Sequence, residues 1–422
     1  MKKFEQYNTL LVQEVGSKTG PITPTLVPSA AFGYSDAEEA EAIFSGEAAL
    51  PLYARVGNPT NAKLESIVAA MEGGIGAIAT ASGMGALAMV LTAFLKQGDE
   101  ILCIGGFFGG TYTLVNETMR RFGVKGHFCD VDDFDRIEEV LQSGVQMVLC
   151  ESVGNPSLKL PDLPKIGLLC SQYQTLFVVD NTITPLIVRP FEVAADIVIY
   201  SSTKIMCGHS AALGGIAVFR AVKETGDKLH QEKYQALHPI LKKMKSKAMI
   251  AICKKRAMRD IGMTANAFGS FLTMLGLETL ALRVERINKS VEIFAKELSE
   301  VLPEGYEVRH PSLETHEHHA RYESLYPDGC GTIVTLNCAS KEAAFSLLNR
   351  LTMVTQTANI GDNRTLALHM CSTIYRDFDE ETRRFLGVTE GLIRISIGLE
   401  DPRVLAEDFS QAATSRIRTL VL

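Results

Sequence analysis

The stretch Asp196-Ile197-Val198-Ile199-Tyr200-Ser201-Ser202-Thr203-Lys204 reads as a short buried strand that delivers a lysine onto a loop rich in hydroxyl groups. Gly208-His209 closes that loop, and Gly214-Gly215-Ile216-Ala217-Val218-Phe219 opens the next apolar strand. An isolated Ser-Thr-Lys after a strand is usually a surface lysine. A second run changes the reading, because Phe177-Val178-Val179-Asp180-Asn181-Thr182 is another buried strand and carries a carboxylate at its end. Working outward, residues 61–255 alternate helix and strand, which predicts an α/β domain around a mostly parallel sheet. Asn61 to Met71 has helical period and ends at Gly73-Gly74, while Ile101-Leu102-Cys103-Ile104 and Met147-Val148-Leu149-Cys150-Glu151-Ser152 read as further strands. Between them Ala81-Ser82-Gly83-Met84-Gly85 opens an apolar helix running to Leu95, and small residues at a helix start leave backbone N–H groups free to seat an anion.

The bulk properties narrow the field. A chain of 422 residues exceeds one typical core, so two or three domains are expected. Its composition, 46% hydrophobic and 22% charged, is that of a globular protein, and a net charge of −7 argues against a nucleic-acid-binding body. Nine cysteines at 103, 129, 150, 170, 207, 253, 330, 338 and 371 form no CxxC pair, which suits reduced thiols in a cytoplasmic protein and no zinc site. The start, Met1-Lys2-Lys3-Phe4-Glu5-Gln6, has no apolar core, and no long uncharged span follows, so neither secretion nor membrane insertion is expected.

An acid and a lysine at the ends of neighbouring strands suit pyridoxal 5'-phosphate (PLP): the lysine amine forms a Schiff base, and the aspartate keeps the pyridine nitrogen protonated so that the ring accepts electrons. Together with Tyr53-Ala54-Arg55-Val56-Gly57-Asn58-Pro59-Thr60 and Ala81-Ser82-Gly83-Met84-Gly85-Ala86, these stretches resemble the Cys/Met-metabolism PLP-dependent enzymes. The resemblance spans nearly the whole chain, with several separated motifs in the right order. It implies fold type I: a large PLP-binding domain (61–255), a smaller α+β C-terminal domain (256–422) and an N-terminal arm (1–60), which reads as extended because Pro21, Pro24 and Pro28 interrupt any helix.

Residue roles follow from the resemblance. Lys204 is the cofactor lysine and catalytic base, and Asp180 the partner of the pyridine nitrogen. Gly83 and Met84 give backbone N–H groups, and Ser201 and Thr203 hydroxyls, to the cofactor phosphate. Asn155, in Gly154-Asn155-Pro156, contacts the phenolic oxygen, with Glu151 supporting the site. Tyr53 and Arg55 bind the phosphate of a neighbouring subunit's cofactor, which implies a homo-oligomer with active sites shared across a dimer, usually assembled as a tetramer. Without the resemblance, Tyr-x-Arg before Gly-Asn-Pro is a turn with an exposed cation.

The aromatic ring stacked on the cofactor is usually a tyrosine, and here it is Phe108. Stacking needs only the ring face, so it survives, but a proton donor is lost. Tyr112, farther along, reads as a packing residue.

In the C-terminal part, Arg394 sits inside the apolar run Leu392-Ile393-Arg394-Ile395-Ser396, where an unpaired cation is costly and should meet an anion. The resemblance makes it the fork for the substrate α-carboxylate and adds Asn359, in Thr357-Ala358-Asn359-Ile360-Gly361-Asp362, to the substrate contacts. His316, His318 and His319 lack the spacing of a helical metal motif and read as a polar loop. Lys242, Lys243, Lys245, Lys247, Lys254, Lys255, Arg256 and Arg259 read as a solvated basic face, the alternative being a docking patch for an acidic sulfur-carrier protein. The Ala-Asn-Ile-Gly-Asp stretch is similar to the O-acetylhomoserine sulfhydrylase branch, whereas His369-Met370-Cys371-Ser372-Thr373-Ile374-Tyr375 departs from that branch's His-Pro-Ala-Ser-Thr-Thr-His. The expected activity is conversion of O-acetyl-L-homoserine and a sulfur donor to L-homocysteine and acetate, with methionine γ-lyase as the alternative.

Overall fold

A computed structural model describes residues 2–48, 50–221 and 244–414. Seven strands form the main sheet: β1 (Gly76–Thr80), β2 (Glu100–Ile104), β3 (Lys125–Cys129), β4 (Met147–Glu151), β5 (Leu176–Asp180), β6 (Ile197–Tyr200) and β7 (Gly215–Phe219). Their order across the sheet is β1-β7-β6-β5-β4-β2-β3. All neighbours run parallel except those of β7, which is antiparallel to both β1 and β6. The central strands β4 and β6 are buried at every position, the unbroken apolar pattern expected of strands covered on both faces. Register sets the chemistry: Glu151 lies opposite Asp180, and Asp180 opposite Ile199, so both carboxylates and the lysine loop emerge at the same sheet edge. That edge is the carboxyl end of the parallel strands, where open α/β sheets bind their ligands.

A second sheet holds β8 (Tyr306–Arg309), β9 (Ile333–Cys338), β10 (Thr355–Gln356), β11 (Leu366–His369) and β12 (Leu392–Ser396) in the order β10-β11-β12-β9-β8. β12 lies between β11 and β9, and Arg394 in its centre pairs with Leu368 on one side and Thr335 on the other. Together the two sheets form a mixed α/β fold with a large, mostly parallel sheet and a smaller one.

The N-terminal segment is more ordered than its prolines suggest. Lys2–Val15 is helical before the first proline, and Phe4, Leu11 and Val15 are buried against the core. Each such apolar side chain stabilises the packing by about 1.5–3 kcal/mol, enough to hold a helix that prolines do not reach. Pro21, Pro24 and Pro28 lie in the irregular stretch that follows, and a second helix spans Ala37–Ser45. Farther on, two helices, Ala267–Leu277 and Leu280–Val301, follow each other with a bend of 63°. The first presses its backbone on the lysine loop: a Cβ on Gly276 would come within 2.3 Å of the Cys207 carbonyl oxygen. Among the described residues no single helix is long and apolar enough to cross a membrane. Lys242 and Lys243 lie outside the described residues.

Candidate active site

A cavity of about 330 Å³ opens between the two sheets. Gly83, Met84, Phe108, Glu151, Asn155, Asp180, Ser201, Thr203, Lys204 and Arg394 line it, so one site gathers most of the residues that the sequence singled out. Tyr53 and Arg55 do not line it. Tyr53 is half-exposed on the arm, and the Arg55 guanidinium donates to the Arg259 carbonyl. Asn359 stands between two cavity residues, Ala358 and Ile360, with its amide turned onto Lys204.

The phosphate end is built by a helix start. Ser82, in extended conformation, caps the helix Gly83–Phe94 by accepting from the Gly85 N–H at 3.0 Å. Helix geometry leaves the Gly83 and Met84 N–H groups without intrahelical partners, and both residues line the cavity. A Cβ on Gly83 would stand 2.6 Å from the Ser201 Cβ, so only glycine lets this helix start approach the strand-end loop. The Ser201 N–H donates to Thr182 Oγ1 at 2.8 Å. Thr203 lines the cavity, but its hydroxyl both donates to the Gly214 carbonyl and accepts from the Gly214 N–H. That engagement ties the two ends of the lysine loop together.

At the strand ends, Asp180 Oδ1 accepts from the Thr182 N–H at 3.0 Å. Desolvation raises the Asp180 pKa, opposed by the Thr182 hydrogen bonds. Beside it Glu151 accepts from the Phe108 N–H at 2.9 Å. Burial raises Glu151 well above the carboxylate range and the Asp180 charge adds to that, so of the pair Glu151 is the more strongly driven to hold a proton.

Lys204 Nζ donates to Asn359 Oδ1 at 2.7 Å. Burial, and then the Arg394 charge, lower its pKa to about 8. Arg394 is 3% exposed and donates to Asn155 Oδ1 at 3.1 Å and to the Ala358 and Asn359 carbonyls at 3.2 and 3.4 Å. No carboxylate meets it among the described residues. A buried guanidinium with long bonds and an open side toward a cavity is suited to receive a carboxylate in bidentate geometry.

One feature escaped the sequence. Tyr375 is fully buried, its hydroxyl donating to the Asn155 carbonyl at 3.0 Å and accepting from the Gly109 N–H at 3.2 Å. It anchors the backbone under Phe108 and Asn155, with its hydroxyl occupied there rather than facing the cavity. Nothing in the local sequence signals contacts so far apart in the chain. Tyr112 packs on Phe128, ring centroids 4.6 Å apart. The histidines of the polar loop serve structure, His318 accepting from the Leu160 N–H at 2.8 Å and bonding Asp132 at 2.8 Å.

The cavity fits PLP: free N–H groups at a helix start for a phosphate, a carboxyl at a strand end for a pyridine nitrogen, an aromatic face, and a lysine with depressed pKa. Comparisons agree. Homocysteine synthase of Schizosaccharomyces pombe is 31% identical over 421 residues, covering 97% of this chain and 98% of the relative. L-methionine gamma-lyase of Fusobacterium nucleatum subsp. polymorphum is 30% identical over 399 residues, 93% of each chain. A crystal structure from Campylobacter jejuni, assigned as an O-acetylhomoserine (thiol)-lyase and containing N'-pyridoxyl-lysine-5'-monophosphate, superposes with a TM-score of 0.89 at 27% identity, covering 97% of this chain and all of that one. The family pattern "Cys/Met metabolism PLP-dependent enzyme" matches residues 8–414, and the chain belongs to that family.

Proposed function

We propose that this enzyme carries out γ-replacement, converting O-acetyl-L-homoserine and a sulfur donor (sulfide, a thiol or a protein-borne sulfur) to L-homocysteine and acetate. The observation that carries the reading is Phe108 on the cavity wall where a hydroxyl is usual, with the Tyr375 hydroxyl committed to backbone. A thiolate leaving group has a conjugate acid near pKa ~8.5 and needs a proton donor, whereas acetate, at about 4, leaves unaided. The similarity to homocysteine synthase supports the same substrate class.

Bound PLP supplies an electron sink for negative charge developing at the substrate Cα. Arg394 holds the α-carboxylate and so fixes which face of Cα is presented. Lys204, its proton weakly held, takes the Cα proton as a neutral amine and carries protons between Cα and Cβ from its place beside Asn359. Asp180 offers its carboxyl at the strand end, where a bound pyridinium would favour the ionised form, and Glu151, driven by burial to hold its proton, spares it a like-charged neighbour. The Gly83 and Met84 N–H groups would hold the phosphate.

Tyr53 and Arg55, projecting from an arm and absent from their own chain's cavity, fit completion of a second subunit's site in a shared dimer, itself paired into a tetramer.

Product analysis tests the reading. PLP-loaded protein with O-acetylhomoserine is expected to release homocysteine and acetate when sulfide is added. Dominant 2-oxobutyrate with or without sulfide would make it a γ-lyase instead. Phe108→Tyr is expected to gain γ-elimination of methionine, and no gain would remove the leaving-group argument.

A further inference from the structure

Lys204 does not end its hydrogen bonding at Asn359. The Asn359 amide Nδ2 donates to Ser210 Oγ at 2.9 Å, and the Ser210 hydroxyl donates to Asp362 Oδ2 at 2.5 Å. Asp362, with a fully buried side chain, is gripped by Arg364 through Nε at 2.7 Å and Nη2 at 3.1 Å. The two loops that carry this chain are stitched by the Asn363 N–H to the Gly208 carbonyl, 2.8 Å. A Cβ on Gly361 would come within 2.6 Å of the Ile205 nitrogen, so the second loop lies directly on the residue after the lysine. Ser210 is a non-glycine residue at φ 52°, a conformation that surrounding contacts must hold.

Direction matters in this chain. An ionised carboxylate only accepts, so the Ser210 proton points to Asp362 and leaves its oxygen as acceptor for Asn359. The Asn359 NH₂ therefore faces Ser210 and its carbonyl faces Lys204. Without the carboxylate, Ser210 is free to donate to Asn359 Oδ1, which turns the NH₂ toward the lysine and sets a donor against a cation. Desolvation pushes Asp362 up, but the Arg364 and Ser210 hydrogen bonds outweigh it and keep the carboxyl below its ordinary pKa.

The geometry points to Asp362 as a positioning residue that, through Ser210, fixes the amide orientation of Asn359 and with it the proton affinity of Lys204. This rests on the reading of Lys204 as the base. The charged groups facing the chain are Arg394 at Lys204, and Arg364 and Arg283 at Asp362, with His209 beside Ser210. Burial and Arg394 push Lys204 toward its neutral form, and the Asn359 carbonyl opposes them.

The test is the titration of Lys204 in the full chain freed of cofactor, measured by competitive amine acetylation against pH and peptide mass spectrometry, for wild type, Asp362→Asn and Ser210→Ala. Both variants are expected to lower the Lys204 titration midpoint by about one pH unit. Ser210→Ala keeps the Asp362–Arg364 pair and decides alone if Asp362→Asn does not fold. A midpoint unmoved or raised in Ser210→Ala overturns the proposal. The second readout is hydrogen–deuterium exchange at Cα of L-norvaline by the holoenzymes, whose acid limb should move down with the midpoint. L-norvaline has no leaving group, so exchange persists even where the sulfhydrylase reading fails, and its absence in wild type would sink the assignment of Lys204 instead.

Discussion

Two arginines buried to nearly the same degree, Arg283 and Arg394, both act on the segment around Lys204 and do opposite things. Burial is the first cause of a pKa lowered to about 10 in both, so desolvation does not separate them. Their hydrogen bonds do. Arg283, on the helix Leu280–Val301, donates to the carbonyls of Ile205, Met206 and Gly276 and to Thr279 Oγ1, four acceptors in all. It is closed, and its work is to tie the helix to the loop that bears Lys204. Arg394 has three bonds of 3.1, 3.2 and 3.4 Å, to Asn155, Ala358 and Asn359, and itself lines the cavity with no carboxylate against it among the described residues. A buried cation whose hydrogen bonds are complete is structure; one left incomplete toward a cavity awaits an anion.

Substitutions break this comparison in a definite order. Arg394→Ala is expected to lower kcat/KM for O-acetylhomoserine by about 10³-fold, since a buried charge pair loses one partner, while the unfolding midpoint changes little. Arg283→Met should do the reverse, reducing stability by about 3 kcal/mol in chemical denaturation because several buried carbonyls lose their donor, with KM near the wild-type value. Arg394→Lys keeps the charge but loses the fork, and a fall of about 30-fold, mainly in KM, is expected. The smallest effect is on pH dependence. The Lys204 pKa, lowered to about 8, leaves the neutral base in the majority above that pH and ammonium below it, so turnover should fall as pH drops through about 8. Removing the Arg394 charge takes away a repulsion that favours the neutral amine, so the limb should move upward in Arg394→Ala and stay in place in Arg394→Lys. A limb unmoved in both would show that Arg394 does not act on Lys204.

The same contrast explains what could be read from the sequence. Asp180 was legible because it ends a continuous apolar strand, and Lys204 because it follows a second such strand closely on a hydroxyl-rich loop, so that the two together stand out where either alone does not. Arg394 was legible as a cation interrupting Leu392-Ile393 and Ile395. Arg283 was not: in an amphipathic helix with many charges, nothing local distinguishes a guanidinium turned inward on carbonyls from one in water. Thr203 was assigned a hydroxyl for the phosphate, and its bonds to Gly214 depend on how the loop closes on itself. The link from Asp362 through Ser210, and the bonds from Tyr375 to Gly109 and Asn155, join loops far apart in the chain that no pattern of spacing brings together. The arm was read from its prolines alone, and the helix Lys2–Val15 forms because its apolar residues find a core supplied by the helices Leu280–Val301 and Pro59–Glu72.

The most direct measurement compares O-acetyl-L-homoserine with its α-carboxamide, under saturating sulfide, on wild type, Arg283→Met and Arg394→Ala. If Arg394 is the open cation, wild type and Arg283→Met should prefer the acid by about 10³-fold in kcat/KM, and Arg394→Ala should lose that preference. Retention of the full preference in Arg394→Ala would contradict the account and place the carboxylate elsewhere in the site.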